Sequence, residues 1–177
     1  MKKTAGILMI ALVMMVTKTT VKAQGLSIDS PNYTTAIGLR GGDLGGLTFK
    51  HFTRPDGALE VILGLGYRHP RIFALTVLYE KHTPAFDVPG MRWYYGGGGH
   101  VTVVGSRSGY YRYPWGVRRY YEGDALGLGI DGIVGLEYKI PPIPFAISFD
   151  LKPYIEVLSP GGVFWSLDPA LGIKLTF

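Results

Sequence analysis

The chain has no cysteine. It therefore has neither a disulfide nor an N-terminal lipid anchored through a thiol, although an exported protein would be permitted disulfides. After residue 23 no continuous apolar run approaches the roughly 20 residues that a spanning helix needs. No window there repeats its apolar residues at the 3.6-residue helical period. Excess charge is also lacking once the first 23 residues are set aside. The 18 Lys and Arg include Lys2, Lys3, Lys18 and Lys22, while all 13 Asp and Glu lie further on, leaving 14 basic against 13 acidic residues. A net +1 is no footprint for nucleic acid, which calls for a strongly basic face. The four histidines, His51, His69, His82 and His100, share no ligand spacing, so no metal site and no cofactor is expected. The run Tyr94 to His100 contains four consecutive glycines, but no Lys-Ser or Lys-Thr follows, which excludes a phosphate-binding loop. Within a strand such glycines mark a bend or a close backbone approach.

What is present begins with an export signal. Lys2 and Lys3 precede an apolar stretch from Ala5 to Val16, and Val21-Lys22-Ala23 has the small-x-small form of a cleavage site. Residues 1–23 read as a signal peptide and 24–177 as one mature domain. With 26 Gly, 12 Pro and 12 Tyr, that domain reads as all-β.

Eight strands are expected over 33–41, 44–53, 58–68, 71–83, 90–104, 125–140, 145–157 and 163–177. Turn chemistry separates them: Gly41-Gly42-Asp43, Pro55-Asp56-Gly57, His69-Pro70, Pro84 to Gly90, Pro141 to Pro144 and Ser159 to Gly162. Only the connection 105–124, about 20 residues, has no clean strand pattern. Eight strands joined by hairpins make an up-and-down antiparallel barrel, the smallest number that membrane barrels use.

Parity divides each strand into two faces. One carries Ile37, Leu39, Phe49, Val61, Phe73, Val77, Trp93, Tyr95, Val134, Leu136, Ile147 and Phe149, and ends in Leu171, Ile173, Leu175 and Phe177. The other carries Arg40, Lys50, Glu60, Arg68, Glu80, Arg92, His100, Asp131, Glu137, Lys139, Asp150, Lys152 and Lys174 among many small residues. A soluble barrel around a small apolar ligand would turn the first face inward. A transmembrane barrel turns it to lipid and the charges to the lumen. The small residues beside the charges suit a narrow eight-stranded interior. The mixed signs allow pairing, and Tyr and Trp recur near strand ends as in interfacial girdles. The transmembrane reading is therefore taken. It expects a lumen charge network of Arg40, Lys50, Glu60, Glu80, Arg92, Asp131, Glu137, Lys139, Asp150, Lys152 and Lys174, with Asp150 near Lys139, Lys152 or Lys174. Such a network is read as a structural plug.

Catalytic residues are not assigned. The alternative is a lipid A-modifying barrel, acyltransferase or deacylase, in which a strand His is followed two residues later by Ser; here His100 is followed by Thr102. Recognition is placed on the 105–124 connection, which collects Arg107, Arg112, Trp115, Arg118, Arg119, Tyr120 and Tyr121. Arg and aromatic residues are enriched in binding hot spots, and Arg pairs bidentately with phosphate. Glycolipid phosphate or a surface or envelope protein partner is the expected ligand. With the first strand starting in the periplasm, this connection falls on the external side.

The alternating strand that ends in Phe177 resembles the outer-membrane β-barrel family, in which the last strand is an address for the barrel-insertion machinery. The stretch Gly132-Ile133-Val134-Gly135-Leu136-Glu137-Tyr138-Lys139-Ile140-Pro141, followed by Ile147 to Pro153, resembles small outer-membrane barrels of Bacteroidota. The architecture is similar to the outer-membrane protein X and adhesion-invasion family. The resemblance implies an outer-membrane location among its lipids and supplies no activity.

Overall fold

The computed structural model describes residues 31–66, 72–105, 109–112, 118–121, 124–159 and 162–177. The signal peptide, its cleavage site, Arg68 and the His69-Pro70 turn lie outside the described residues.

Among the described residues ten strands are formed: β1 (Thr35–Gly41), β2 (Gly45–Arg54), β3 (Gly57–Gly66), β4 (Ile72–Pro84), β5 (Met91–Val104), β6 (Gly109–Arg112), β7 (Arg118–Tyr121), β8 (Ala125–Ile140), β9 (Phe145–Ser159) and β10 (Gly162–Thr176). Eight of them close into an antiparallel barrel in the order β1-β10-β9-β8-β5-β4-β3-β2. β1 seals the wall by pairing with β10 from Ala36↔Thr176 to Gly41↔Leu171. The 105–124 connection holds more structure than its sequence showed. β6 and β7 pair there as a separate two-stranded hairpin, from Gly109↔Tyr121 to Arg112↔Arg118. Four-residue strands are too short to display an alternation.

The start of β1, the end of β10, the short turns after β2 and β4, and the Pro141 to Pro144 turn share one rim. The 42–44 turn and the β6–β7 hairpin lie at the opposite rim. Closure follows from the backbone's hydrogen-bonding requirement, since an open edge in hydrocarbon leaves donors and acceptors without partners. The glycine run in β5 has its reason in this curvature. A Cβ at the inward positions 96 or 98 would collide with the backbone of β4, at Tyr79 and Val77 respectively.

The faces are inverted relative to a water-soluble barrel. Outward positions are apolar and open: Leu171 is 67% exposed, Phe149 50% and Val134 46%, with Tyr79, Trp93, Tyr95 and Trp165 among them. Inward positions are charged and buried, with Lys50 and Glu80 fully covered. An apolar band encircling a polar interior is stable against hydrocarbon, and the chain is a transmembrane β-barrel.

Val134 stands outward near the middle of β8. An arginine there puts a charge into the hydrocarbon, at a cost of roughly 2–4 kcal/mol. Val134→Arg should lower the urea midpoint of the lipid-embedded barrel accordingly, while Val134→Leu should not; this is measured by refolding into vesicles at graded urea.

Candidate functional site

The interior charges are brought together by register. Lys50 on β2 faces Glu60 on β3 across the ladder, and Arg92 on β5 faces Glu137 on β8. Near the rim that holds the start of β1 and the end of β10, Lys50 Nζ lies 3.0 Å from Glu60 Oε2, 2.7 Å from Glu80 Oε2 and 3.4 Å from Glu137 Oε2. Lys174 Nζ bridges Glu60 at 3.2 Å and Glu137 at 3.1 Å. Tyr33 donates its hydroxyl to Glu137, and Thr48 donates to Glu60. Arg92 Nη2 donates to the His82 carbonyl at 3.3 Å. Lys50, Lys174 and Arg92 thus balance Glu60, Glu80 and Glu137.

Tyr94 fills the space between this cluster and the rest of the lumen. Lys50 Nζ sits 4.3 Å from its ring centroid, and His82 stacks on it at 5.2 Å and 18°. The ring lies over Gly135, where a Cβ would strike it. Its hydroxyl donates to Asp150 Oδ2 at 3.0 Å.

A second group begins there. Arg40 spans two carboxylates, with Nη2 2.6 Å from Asp150 Oδ1 and Nη1 2.7 Å from Asp168 Oδ2. Asp168 also accepts from the Asp43 backbone at 2.7 Å, tying the 42–44 turn to β10. Towards the hairpin rim, Asp131 accepts from Lys152 Nζ at 2.9 Å and pairs with His100 Nδ1 at 2.7 Å. His100 Nε2 lies 3.5 Å from Glu156 Oε1. A cavity of about 40 Å³ opens beside these groups, lined by Arg40, Thr76, His100, Thr102, Lys152 and Glu156 among others.

The assigned interior residues therefore divide. Arg40, Lys50, Glu60, Glu80, Arg92, Asp131, Glu137, Asp150, Lys152 and Lys174 are all buried inside the wall. Lys139 does not join them. Its parity is inward, but it stands at the rim and donates instead to the carbonyls of Ile143 at 2.6 Å and Ile140 at 3.3 Å. Asp150 is paired with Arg40 rather than with Lys139, Lys152 or Lys174. Sequence reasoning missed Glu156 and Asp168, which have the same parity as Lys152 and Lys174 on their strands. It also missed His82 and Tyr94, whose aromatic character hid their inward parity.

Of the external set, Arg107 and Trp115 lie outside the described residues. Arg112, Arg118, Arg119, Tyr120 and Tyr121 fall on the β6–β7 hairpin, with Arg112 directly opposite Arg118 and Tyr111 opposite Arg119. Among the described residues, no group of three or more His, Asp or Glu is arranged to hold a metal ion. Both ring nitrogens of His100 are turned towards carboxylates, which is a charge-pairing arrangement.

No protein-family model matches the chain, and neither does any curated protein. Among solved structures, the chain is similar to the N-terminal β-barrel domain of Pseudomonas aeruginosa OprF, with a TM-score of 0.53 and 17% identity over 87% of this chain and 100% of that one. The likeness is one of fold: a closed eight-stranded outer-membrane type of barrel.

Removing one partner of a buried ion cluster leaves uncompensated charge, typically worth about 3–5 kcal/mol. Lys50→Met should therefore destabilise the barrel by about that amount, and Lys50→Met with Glu137→Gln by less. Lys139→Met, at the rim, should leave the unfolding midpoint unchanged. Urea titrations of heat-modifiable gel mobility measure all three.

Proposed function

We propose that the protein is an integral outer-membrane barrel that serves as a closed anchor and presents the 105–124 connection at the cell surface. The observation that carries this reading is the interior itself. Ion pairs and the Tyr94 ring cross the lumen on several levels, the arrangement of a structural plug. A barrel so filled offers its accessible polar surface at the rims. The β6–β7 hairpin is the most elaborate feature at the rim opposite the start of β1 and the end of β10.

The hairpin's chemistry favours an anion. Its register sets two arginine positions directly across from one another, and like charges at directly opposed ladder positions are unfavourable. Phosphate groups of a surface glycolipid fit the fork geometry of arginine, and the neighbouring tyrosines suit a headgroup region. A surface or envelope protein partner would use the same residues. The role proposed is non-enzymatic. Export through a cleaved signal at 1–23, insertion through the strand ending in Phe177 and kinship with small Bacteroidota barrels are consistent with the sequence patterns at those positions.

The test is to replace residues 107–121 with a short Gly-Ser linker. Closure entropy grows slowly with loop length, so the barrel should assemble and remain heat-modifiable. Binding to vesicles carrying phosphorylated glycolipid should fall, and the wild-type binding should weaken with salt. Undiminished binding by an assembled deletion variant would remove the hairpin from the recognition role.

A further inference from the structure

The two ends of the lumen differ in charge balance. At the end that holds the start of β1 and the end of β10, three cations meet three carboxylates among the described residues. Among the described residues, the buried carboxylates Asp131, Asp150, Asp168 and Glu156 in the half towards the hairpin rim meet two permanent cations, Arg40 and Lys152. Three of those acids are claimed at short range: Asp150 and Asp168 by Arg40, and Asp131 by Lys152. Glu156 is not. Its side chain is 2% exposed, and the charge-capable group within 4 Å is His100 Nε2 at 3.5 Å. Oε1 accepts no hydrogen bond among the described residues.

This carboxylate lines the cavity beside the hairpin rim. Glycine makes the space it occupies, since a Cβ at Gly127 would collide with Oε1, and one at Gly129 would collide with the His100 ring. The cavity's roughly 40 Å³ is about three water-sized spheres, enough for an ammonium group and its first carbon. Among the described residues, even a protonated His100 offsets one of the two excess negative charges and leaves one. A buried acceptor with residual charge of minus one calls for a monocation that also donates a hydrogen bond.

We infer that this vestibule binds a primary ammonium group, which donates to Glu156 Oε1. The group could arrive on a free small amine or on an amine-bearing lipid headgroup, and the two sources are separable. The site lies inside the lumen and is independent of what the 105–124 hairpin recognises.

The experiment uses the refolded full chain in zwitterionic detergent micelles, with the ring resonances of its four histidines followed by NMR at constant ionic strength. Methylammonium should shift the His100 signal saturably. Tetramethylammonium, which has no N–H to donate, and sodium should bind at least tenfold more weakly. Glu156→Gln should abolish the saturable response. If that variant does not fold, the comparison of cations on the unaltered protein still decides the matter. In nanodiscs, a His100 shift with phosphatidylethanolamine but not phosphatidylcholine, without added amine, would assign the ammonium to lipid. Its absence there, with saturation by methylammonium retained, would assign it to a free amine. The inference is overturned by equal, non-saturating responses to all three cations, by sodium matching methylammonium, or by unchanged methylammonium binding in Glu156→Gln. A silent wild-type protein would also overturn it, because the chain then neutralises Glu156 by itself.

Discussion

Hydrocarbon offers the backbone nothing to bond with, and the rest of this structure follows from that. Every N–H and C=O in the wall must find its partner in a neighbouring strand, so the sheet must close. Closing it with eight strands leaves an interior that only side chains can fill. The outward positions must be apolar to be solvated by lipid, and the period of two then fixes the inward positions. Twelve of the charged residues lie buried in that interior. In a narrow space shielded from water, an unpaired charge is costly, and most of these find a counter-charge among the others.

That requirement explains the particular side chains. Lys50 reaches three carboxylates at once, and Arg40 uses two nitrogens of its fork for two acids on different strands. Tyr94 completes the packing by offering a ring face to Lys50 and a hydroxyl to Asp150. Each such ion would carry a desolvation cost of several kcal/mol if unpaired. The network is therefore better understood as a condition for having a polar interior than as a surplus of stability. Small residues are part of the same solution, because Gly96, Gly98 and Gly135 yield volume that the wall's curvature and the Tyr94 ring take up.

Much of this was legible in the sequence, for physical reasons. Strict alternation in β9 and β10 reports a two-faced strand. The mixture of signs and small residues on one face distinguishes a lumen from a water-facing surface. The partners were less legible. Asp150 finds Arg40, 110 positions away in the chain, because closure and strand stagger bring them to one level, and no local pattern encodes stagger. Lys139 has the right parity at the wrong height, since the turn at Pro141 to Pro144 places it at the rim where backbone carbonyls receive it. The β6–β7 hairpin escaped notice because its strands are short and both are rich in Arg and Tyr. The ligand of that hairpin is a question of chemistry at the rim, where periodicity carries no information.

The inverted wall is the claim on which the account depends, and the absence of native cysteine makes it directly measurable. Single cysteines placed in turn from position 146 to 157 of β9 can carry a spin label in the lipid-embedded protein. Relaxation by oxygen, which partitions into hydrocarbon, can be compared with relaxation by a water-soluble nickel chelate. Labels at 147, 149, 151, 155 and 157 should be oxygen-accessible, and those at 146, 148, 150, 152 and 156 should be shielded from oxygen. The opposite phase, or odd positions open to the nickel chelate throughout the strand, would contradict the transmembrane barrel described above.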